Sequence, residues 1–280
     1  MKRIYFLFAA LCVCCALAAQ DAKELLILHT NDTHSRIEPI PATDPNPKYA
    51  GKAGFVRRVS LIKELRKQNK DLLLFDCGDF SQGSPFYNMF RGEVEVKLMN
   101  EMGYDAGTIG NHEFDFGLDN MARLFQLANF PIVCANYGVE GTPLEGIVKP
   151  YVILERNGIK VGVFGLSPAL EGLVQAKNCA GVVFKNPIEE AQRVADILKV
   201  QEKCDLVICL SHLGWKGKNY SDEALIPATR HIDIVLGGHS HSYFDKTLFY
   251  KNLDGKDVPL QQMGKNAVYI GTMKVKLEKN

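Results

Sequence analysis

The sequence predicts an α/β fold built on largely parallel sheets, and two observations carry that expectation. Short apolar runs recur along the chain: LLIL at 25–28, LLLF at 72–75, AGTIG at 106–110, LVICL at 206–210 and IVLGG at 234–238. They are continuous rather than alternating, as in strands buried on both faces. Between them lie stretches of helical period at 55–68, 118–128 and 188–201. Strand alternating with helix is the pattern of parallel sheets joined by crossover helices.

Taken in order, the chain opens on an export signal. Lys2 and Arg3 precede an apolar stretch at 4–17, and Ala16-Leu17-Ala18 gives a small-x-small pattern. Cleavage is expected after Ala18 or Ala19, so that residues 1–19 are a signal peptide and 20–280 the mature chain. The apolar stretch is too short to span a bilayer comfortably. The residues before Cys12, Cys14 and Cys15 do not suit lipidation, since that needs a small residue just ahead of the cysteine. A periplasmic or secreted protein with no membrane attachment after signal cleavage is the expectation.

The first strand-like run leads into a loop marked by Pro39, Pro41, Pro45 and Pro47. The helix at 55–68 presents Phe55, Val59, Ile62 and Leu65 on one face. Its basic end (Lys63, Arg66, Lys67, Lys70) complements the negative pole of the helix and reads as a solvated face. A hairpin is expected over 153–165, turning at Asn157-Gly158. NAVYIGTMKVKLEKN closes the chain with strand-like alternation, and no repeat or composition break marks a second domain.

Composition narrows the function classes. With 33 basic and 32 acidic residues among 280, nothing points to nucleic acid or another polyanion as partner. Beyond the signal the chain keeps Cys77, Cys134, Cys179, Cys204 and Cys209, an odd number that matches no disulfide framework or zinc knuckle. Cys77 and Cys209 sit in apolar runs and are expected to be small buried hydrophobes.

The chemistry gathers where the strands end. In parallel sheets ligands bind outside the carboxyl ends of the strands. Here those ends carry Asp32 and His34, Asp79, Asn111 and His112, His212, and His239 and His241. Five of the seven histidines follow apolar runs in this way, while His29 and His231 read as structural. The oxygen and imidazole donors, without a thiolate, suit zinc, manganese, iron or cobalt. There are too many for one tetrahedral ion and enough for two ions sharing a carboxylate. Two cations about 3.5–4 Å apart clamp a phosphoryl oxygen, generate hydroxide near neutral pH and stabilise both attacking and leaving oxygens.

DTH at 32–34, GDFSQGS at 78–84, GNHEFD at 110–115, SHLG at 211–214 and GGHSH at 237–241 occur in one order along the chain. In that order they resemble the calcineurin-like metallophosphoesterases. KYAGKAGFVRRV at 48–59 and the aromatic form of GNHEFD make the chain most similar to the catalytic domain of the secreted 5′-nucleotidase and UDP-sugar hydrolase branch. The resemblance runs from about Leu25 to the C-terminus. It implies a four-layer αββα sandwich with the dimetal site at strand carboxyl ends. It implies one metal on Asp32, His34 and His241, another on Asn111, His212 and His239, and Asp79 bridging the two. His112 would touch the phosphate rather than a metal, with Asp115 orienting it, and Glu113 is left as a cap or surface residue.

The reaction implied is hydrolysis of a small phosphorylated substrate, foremost a nucleoside 5′-phosphate. Rivals are a 2′,3′-cyclic nucleotide phosphodiesterase, a nucleotide-sugar pyrophosphatase and a sulfur-ester hydrolase, because fold and metal set do not choose the leaving group. A binding protein without turnover is opposed by the complete ligand set, and a redox metal protein by the missing thiolates. Two-domain members of the family hold the nucleoside on a C-terminal domain, and this chain ends where that domain would begin. A separately encoded substrate-binding domain is therefore expected to supply nucleotide recognition, with the loop after Pro39 as the one local contributor.

Overall fold

The computed structural model describes residues 23–217 and 219–277, so the expected signal peptide lies outside the described residues. β1 (Lys23–Thr30) sends alternate side chains into two cores: Leu25 and Ile27 to one, Leu26 and Leu28 to the other. That is why its run is continuously apolar. The chain crosses to α1 (Phe55–Gln68), whose bounds are those the helical period predicts, and returns in β2 (Leu73–Asp76), parallel to β1.

Two helices then appear that the apolar periodicity did not announce. The Ser84 hydroxyl accepts from Tyr87 N at the start of α2 (Pro85–Phe90), with Pro85 in the first helical turn. α3 (Glu93–Met102) is bracketed by Gly92 and Gly103, both left-handed. Arg66 departs from the expected solvated face. Its guanidinium reaches Leu72 O (3.2 Å), the Gly103 carbonyl and Asp105 (3.4 Å), tying α1 to the segments flanking β2 and β3.

The run at 106–110 pairs as a strand only over β3 (Ala106–Gly107), and α4 (Gly117–Leu127) follows. β4 (Tyr137–Gly138) will pair with β7 in a small separate ribbon. β5 (Tyr151–Arg156) and β6 (Ile159–Leu166) form the expected hairpin, with Arg156 opposite Ile159 and positive φ at Asn157 (51°) and Gly158 (64°). Positive φ at both turn residues matches the right-handed twist of the strands. β7 (Val183–Phe184) leads to α5 (Pro187–Asp196), after which the predicted helix finishes as a π-turn over Ile197–Gln201.

β8 (Leu206–Ser211), α6 (Asp222–Leu225), β9 (Ile234–Leu236), β10 (Leu248–Lys251), β11 (Asp257–Gln261) and β12 (Gly271–Leu277) complete the chain. One sheet has the order β12-β1-β2-β3, the other β10-β11-β9-β8-β6-β5. Pairing is parallel through both centres, while β12, β10 and β5 add antiparallel edges.

The cores define four layers. Ile27, Phe75, Val161, Ile208 and Leu236 fill the space between the sheets. Ile62 of α1, Met99 of α3 and Leu124 of α4 pack on the outer face of the first sheet. Ala191 and Val194 of α5 pack on the outer face of the second, against Val207 and Cys209. The result is the expected αββα sandwich. Cys77, Cys134, Cys204 and Cys209 are buried free thiols, and Cys179 is a half-buried one. No helix among the described residues is long and apolar enough to cross a membrane.

Candidate active site

The strand ends converge. Asp32, His34 and His241 form one group of donors, and Asp79, His212 and His239 a second, with the ligand atoms of each group within 4.8 Å of one another. Asp32 lies between the groups: its Oδ1 is 3.4 Å from His241 Nε2, 3.9 Å from His34 Nε2 and 3.9 Å from His212 Nε2. Asp79 Oδ2 is 3.2 Å from His212 Nε2. Asn111 is buried nearby in the chain from His112, and its Oδ1 has no hydrogen-bond partner. His29 and His231 stay outside this cluster, bonded to Gln261 and Asp196.

The backbone is bent to make this meeting possible. Asp32, His34, Asp79, His239 and His241 all have left-handed φ, between 44° and 70°. Such conformations cost on the order of 1–3 kcal/mol each and persist where surrounding contacts enforce them. The contacts are at hand: Asp32 N donates to Gly78 O and His34 N to Asp79 O, each at 3.0 Å. Two glycines allow the close approach. A Cβ on Gly110 would sit 2.1 Å from Asp79 Oδ1, and one on Gly238 would sit 2.8 Å from both Cys77 O and His212 Nδ1.

Glu113 is not the cap or surface residue its position suggested. It is 1% exposed, and its carboxylate accepts from Gly110 N (2.6 Å), Asp79 N (3.0 Å) and Ser81 N (3.1 Å). One side chain thus clasps the loop after β2 to the loop after β3. Burial and the neighbouring Asp79 charge push its pKa up to about 7. Asn31 does similar work on the other side: its amide donates to Asp32 Oδ2 (2.6 Å) and Gly264 O (2.7 Å), and its oxygen accepts from Met263 N (2.9 Å). Glu113 stands inside GNHEFD and Asn31 just ahead of DTH, but only their burial and partners reveal the role.

Hydrogen bonds fix which imidazole nitrogen faces inward. His212 Nδ1 donates to Cys77 O (2.6 Å) and leaves Nε2 facing Asp79, close but not in hydrogen-bond geometry. His34 Nδ1 is bonded to Ser81 O (3.2 Å), which turns its Nε2 to within 3.0 Å of His241 Nε2. A carbonyl behind one ring nitrogen is how metal-binding histidines are commonly oriented. Burial lowers His34 and takes His239 down to about 4, favouring the neutral ring, the form able to ligate a metal. Burial would lower His212 as well, but the charges of Asp79 and Asp32 outweigh it and hold His212 at about 10. Asp79 is held well below the usual carboxylate range, burial being overcome by His212. Facing imidazole nitrogens, a buried Asn oxygen without a partner and two deep carboxylates are what a pair of divalent cations would satisfy.

Beside the cluster, His112 Nδ1 lies 3.2 Å from Asp115 Oδ2, and its backbone N donates to Asp79 Oδ1 (2.9 Å). The Asp115 bond raises the His112 pKa against the opposing effect of burial. The ring is part-exposed, with its centroid 5.5 Å from that of His34. Tyr87 Oη donates to His112 O (3.2 Å), and Asn178 Nδ2 to Asp115 O (2.9 Å), so the dyad is held from both ends.

Known proteins resemble this chain in sequence and fold. Residues 25–243 match the family model described as calcineurin-like phosphoesterase. A snake venom 5′-nucleotidase of Gloydius brevicauda is 32% identical over 293 residues, covering 97% of this chain and 48% of its own length. The trifunctional nucleotide phosphoesterase protein YfkN of Bacillus subtilis is 31% identical over 80% of this chain and 16% of its own. The crystal structure of a 5′-nucleotidase precursor from Thermus thermophilus superposes with a TM-score of 0.81 at 28% identity, over 90% of this chain and 51% of the other. The chain spans about half the length, or less, of the curated relatives it matches. With its sandwich, its strand-end donors and the match over 25–243, the chain belongs to the calcineurin-like phosphoesterase family.

Proposed function

We propose that this chain is the catalytic domain of an exported, two-metal phosphohydrolase that releases phosphate from nucleoside 5′-monophosphates. The observation that carries the reading is the paired donor cluster beside the His112–Asp115 dyad. Asp32, His34 and His241 would hold one ion, Asn111, His212 and His239 the other, and Asp79 would bridge them. Two bound divalent cations supply Lewis acidity, lowering the pKa of water and neutralising charge on phosphoryl oxygens. His112 stands where it can touch a phosphoryl oxygen or give a proton to the leaving alkoxide. Asp115 orients the ring by accepting a hydrogen bond from Nδ1–H, so that Nε2 is left to face the substrate. Glu113 and Asn31 keep the loops that carry these groups from separating.

The 5′-nucleotidase names of several relatives support the nucleotide as substrate. A second reading extends the same site to 2′,3′-cyclic nucleotides, favoured by a relative named a trifunctional nucleotide phosphoesterase. Residues 1–19 are assigned to export and 20–280 to the catalytic domain, with a periplasmic or secreted location. A substrate-binding domain on another chain would complete the selectivity. The test is metal analysis joined to a substrate panel of AMP, a UDP-sugar, a cyclic nucleotide and p-nitrophenyl phosphate. Close to two ions per chain are expected, with chelation abolishing turnover and manganese, cobalt or zinc restoring it. Full activity in chelated, metal-depleted protein would overturn the reading.

A further inference from the structure

Gln262 stands outside the five motifs at the strand ends, yet its fully buried side chain grips the loop that carries His239 and His241. Its Nε2 donates to Gly238 O (2.7 Å), and its Oε1 accepts from Ser240 Oγ (2.8 Å) and Ser242 N (2.5 Å). These partners leave the amide one orientation, because a carbonyl can only accept and a backbone N–H can only donate. The three bonds fall just before His239, between the two histidines, and just after His241. We infer that Gln262 is a positioning residue that fixes the separation of the two donor groups. The inference rests on the two-metal reading and adds to it the side chain that sets how the two ions stand to each other.

His239 belongs to one donor group and His241 to the other, so the shape of one short loop governs the distance between the groups. That loop needs outside support. Both histidines have left-handed φ, 70° and 53°, a conformation that surrounding contacts must enforce. The segment that carries Gln262 also reaches Asp32, the carboxylate between the groups. Met263 N donates to Asn31 Oδ1 (2.9 Å), while Asn31 Nδ2 donates to Gly264 O (2.7 Å) and Asp32 Oδ2 (2.6 Å). Gly264 N returns to Ser242 O (2.8 Å), and His239 N donates to Asp32 Oδ2 (2.9 Å). Residues 262–264 therefore hold His239, His241 and Asp32 in one frame.

Gln261 supplies the comparison. Its side chain is also buried and bonded, but to His29 Nε2 (3.1 Å) and Thr247 Oγ1 (2.7 Å) rather than to the donor loop. A glutamine that only completed the core would behave as Gln261 does.

The test reads the relation between the ions rather than turnover. In the full chain given two equivalents of manganese, low-temperature EPR of the wild type should show a spin-coupled ion pair. Gln262→Met keeps the unbranched shape and removes all three bonds. It should weaken manganese binding by about 10- to 100-fold, the usual cost of losing a group that orients metal ligands. The coupled spectrum should give way to that of isolated manganese. Ser240→Ala changes an exposed residue, removes one of the bonds, and should move both readouts less in the same direction. It decides the matter by itself if Gln262→Met does not fold. Gln261→Met should lower the unfolding midpoint and leave manganese affinity and the coupled spectrum as in the wild type. An unchanged spectrum and affinity in the Gln262 and Ser240 variants, or an equal loss in Gln261→Met, would overturn the positioning role alone. A wild-type chain that forms no coupled pair would overturn the two-metal reading, and this role with it.

Discussion

The two donor groups are made of the same residue types, one carboxylate and two histidines each, yet they sit in different surroundings. Asp79 and His212 are 2% and 0% exposed, and their loops are gripped by Glu113, the Cys77 carbonyl and the tight glycines. In the other group Asp32 is sealed, but the His241 side chain is 36% exposed and its loop continues outward to Tyr243. His112, also part-exposed, faces the open side through His34. The difference teaches a division of labour. A rigid interior fixes the charges, and an open rim receives whatever is to be transformed.

Breaking the sealed group should have the largest effect. Asp79→Asn removes the charge that His212 and His34 both face, and should lower turnover by roughly 10⁴-fold or more together with metal content. Metal analysis beside steady-state kinetics checks it; two ions and near-normal turnover would deny Asp79 a bridging role. On the open side, His112→Ala should cost about 10²–10⁴-fold in kcat while both ions stay bound. Asp115→Asn should be a milder form of the same defect. Loss of metal from His112→Ala would contradict the assigned roles.

The sealed side should also dominate stability. Glu113→Ala leaves three backbone N–H groups buried without an acceptor and should cost about 4 kcal/mol or more, measured by urea unfolding of the metal-free chain. His241→Ala, on the rim, should cost less than about 1 kcal/mol in the same assay. Equal costs would erase the contrast between the two groups.

A smaller effect sharpens the same contrast from outside the site. His29 is fully buried against Gln261, and burial lowers its pKa from 6.5 to about 4. Above pH 6.5 the folded and unfolded states are both neutral there. Between 6.5 and about 4 the unfolded chain alone takes up the proton, so acidification withdraws stability, reaching about 3 kcal/mol below that window. His29→Gln should flatten the stability–pH curve by a comparable amount, read from denaturation midpoints across that range. An unchanged curve would show that His29 does not set this slope.

Much of the fold was legible because it rests on local periodicity. α1 kept its predicted bounds, and the Asn157-Gly158 turn formed where the dipeptide favours positive φ. α2 and α3 were less visible, since their cues are a capping serine and two left-handed glycines rather than a long apolar stripe. Arg66 read as solvated because spacing does not reveal the carbonyls of Leu72 and Gly103 waiting within its reach.

By itself the sequence determined most element types, the strand-end positions of eight candidate site residues and the oxygen and imidazole character of their donors. These follow from side-chain chemistry and from residues close together in the chain. Only the tertiary structure decided that Glu113 is a buried clasp, that Asn31 braces Asp32, and that Tyr243 meets Tyr269 beside His241. The bonds from Glu113 to Asp79 and Ser81, from Asn31 to Met263 and Gly264, and the stacking of Tyr243 on Tyr269 join segments whose separation in sequence carries no trace of their contact. They arise when two sheets pack face to face and strained loops, held by buried hydrogen bonds, bring the strand ends to one point.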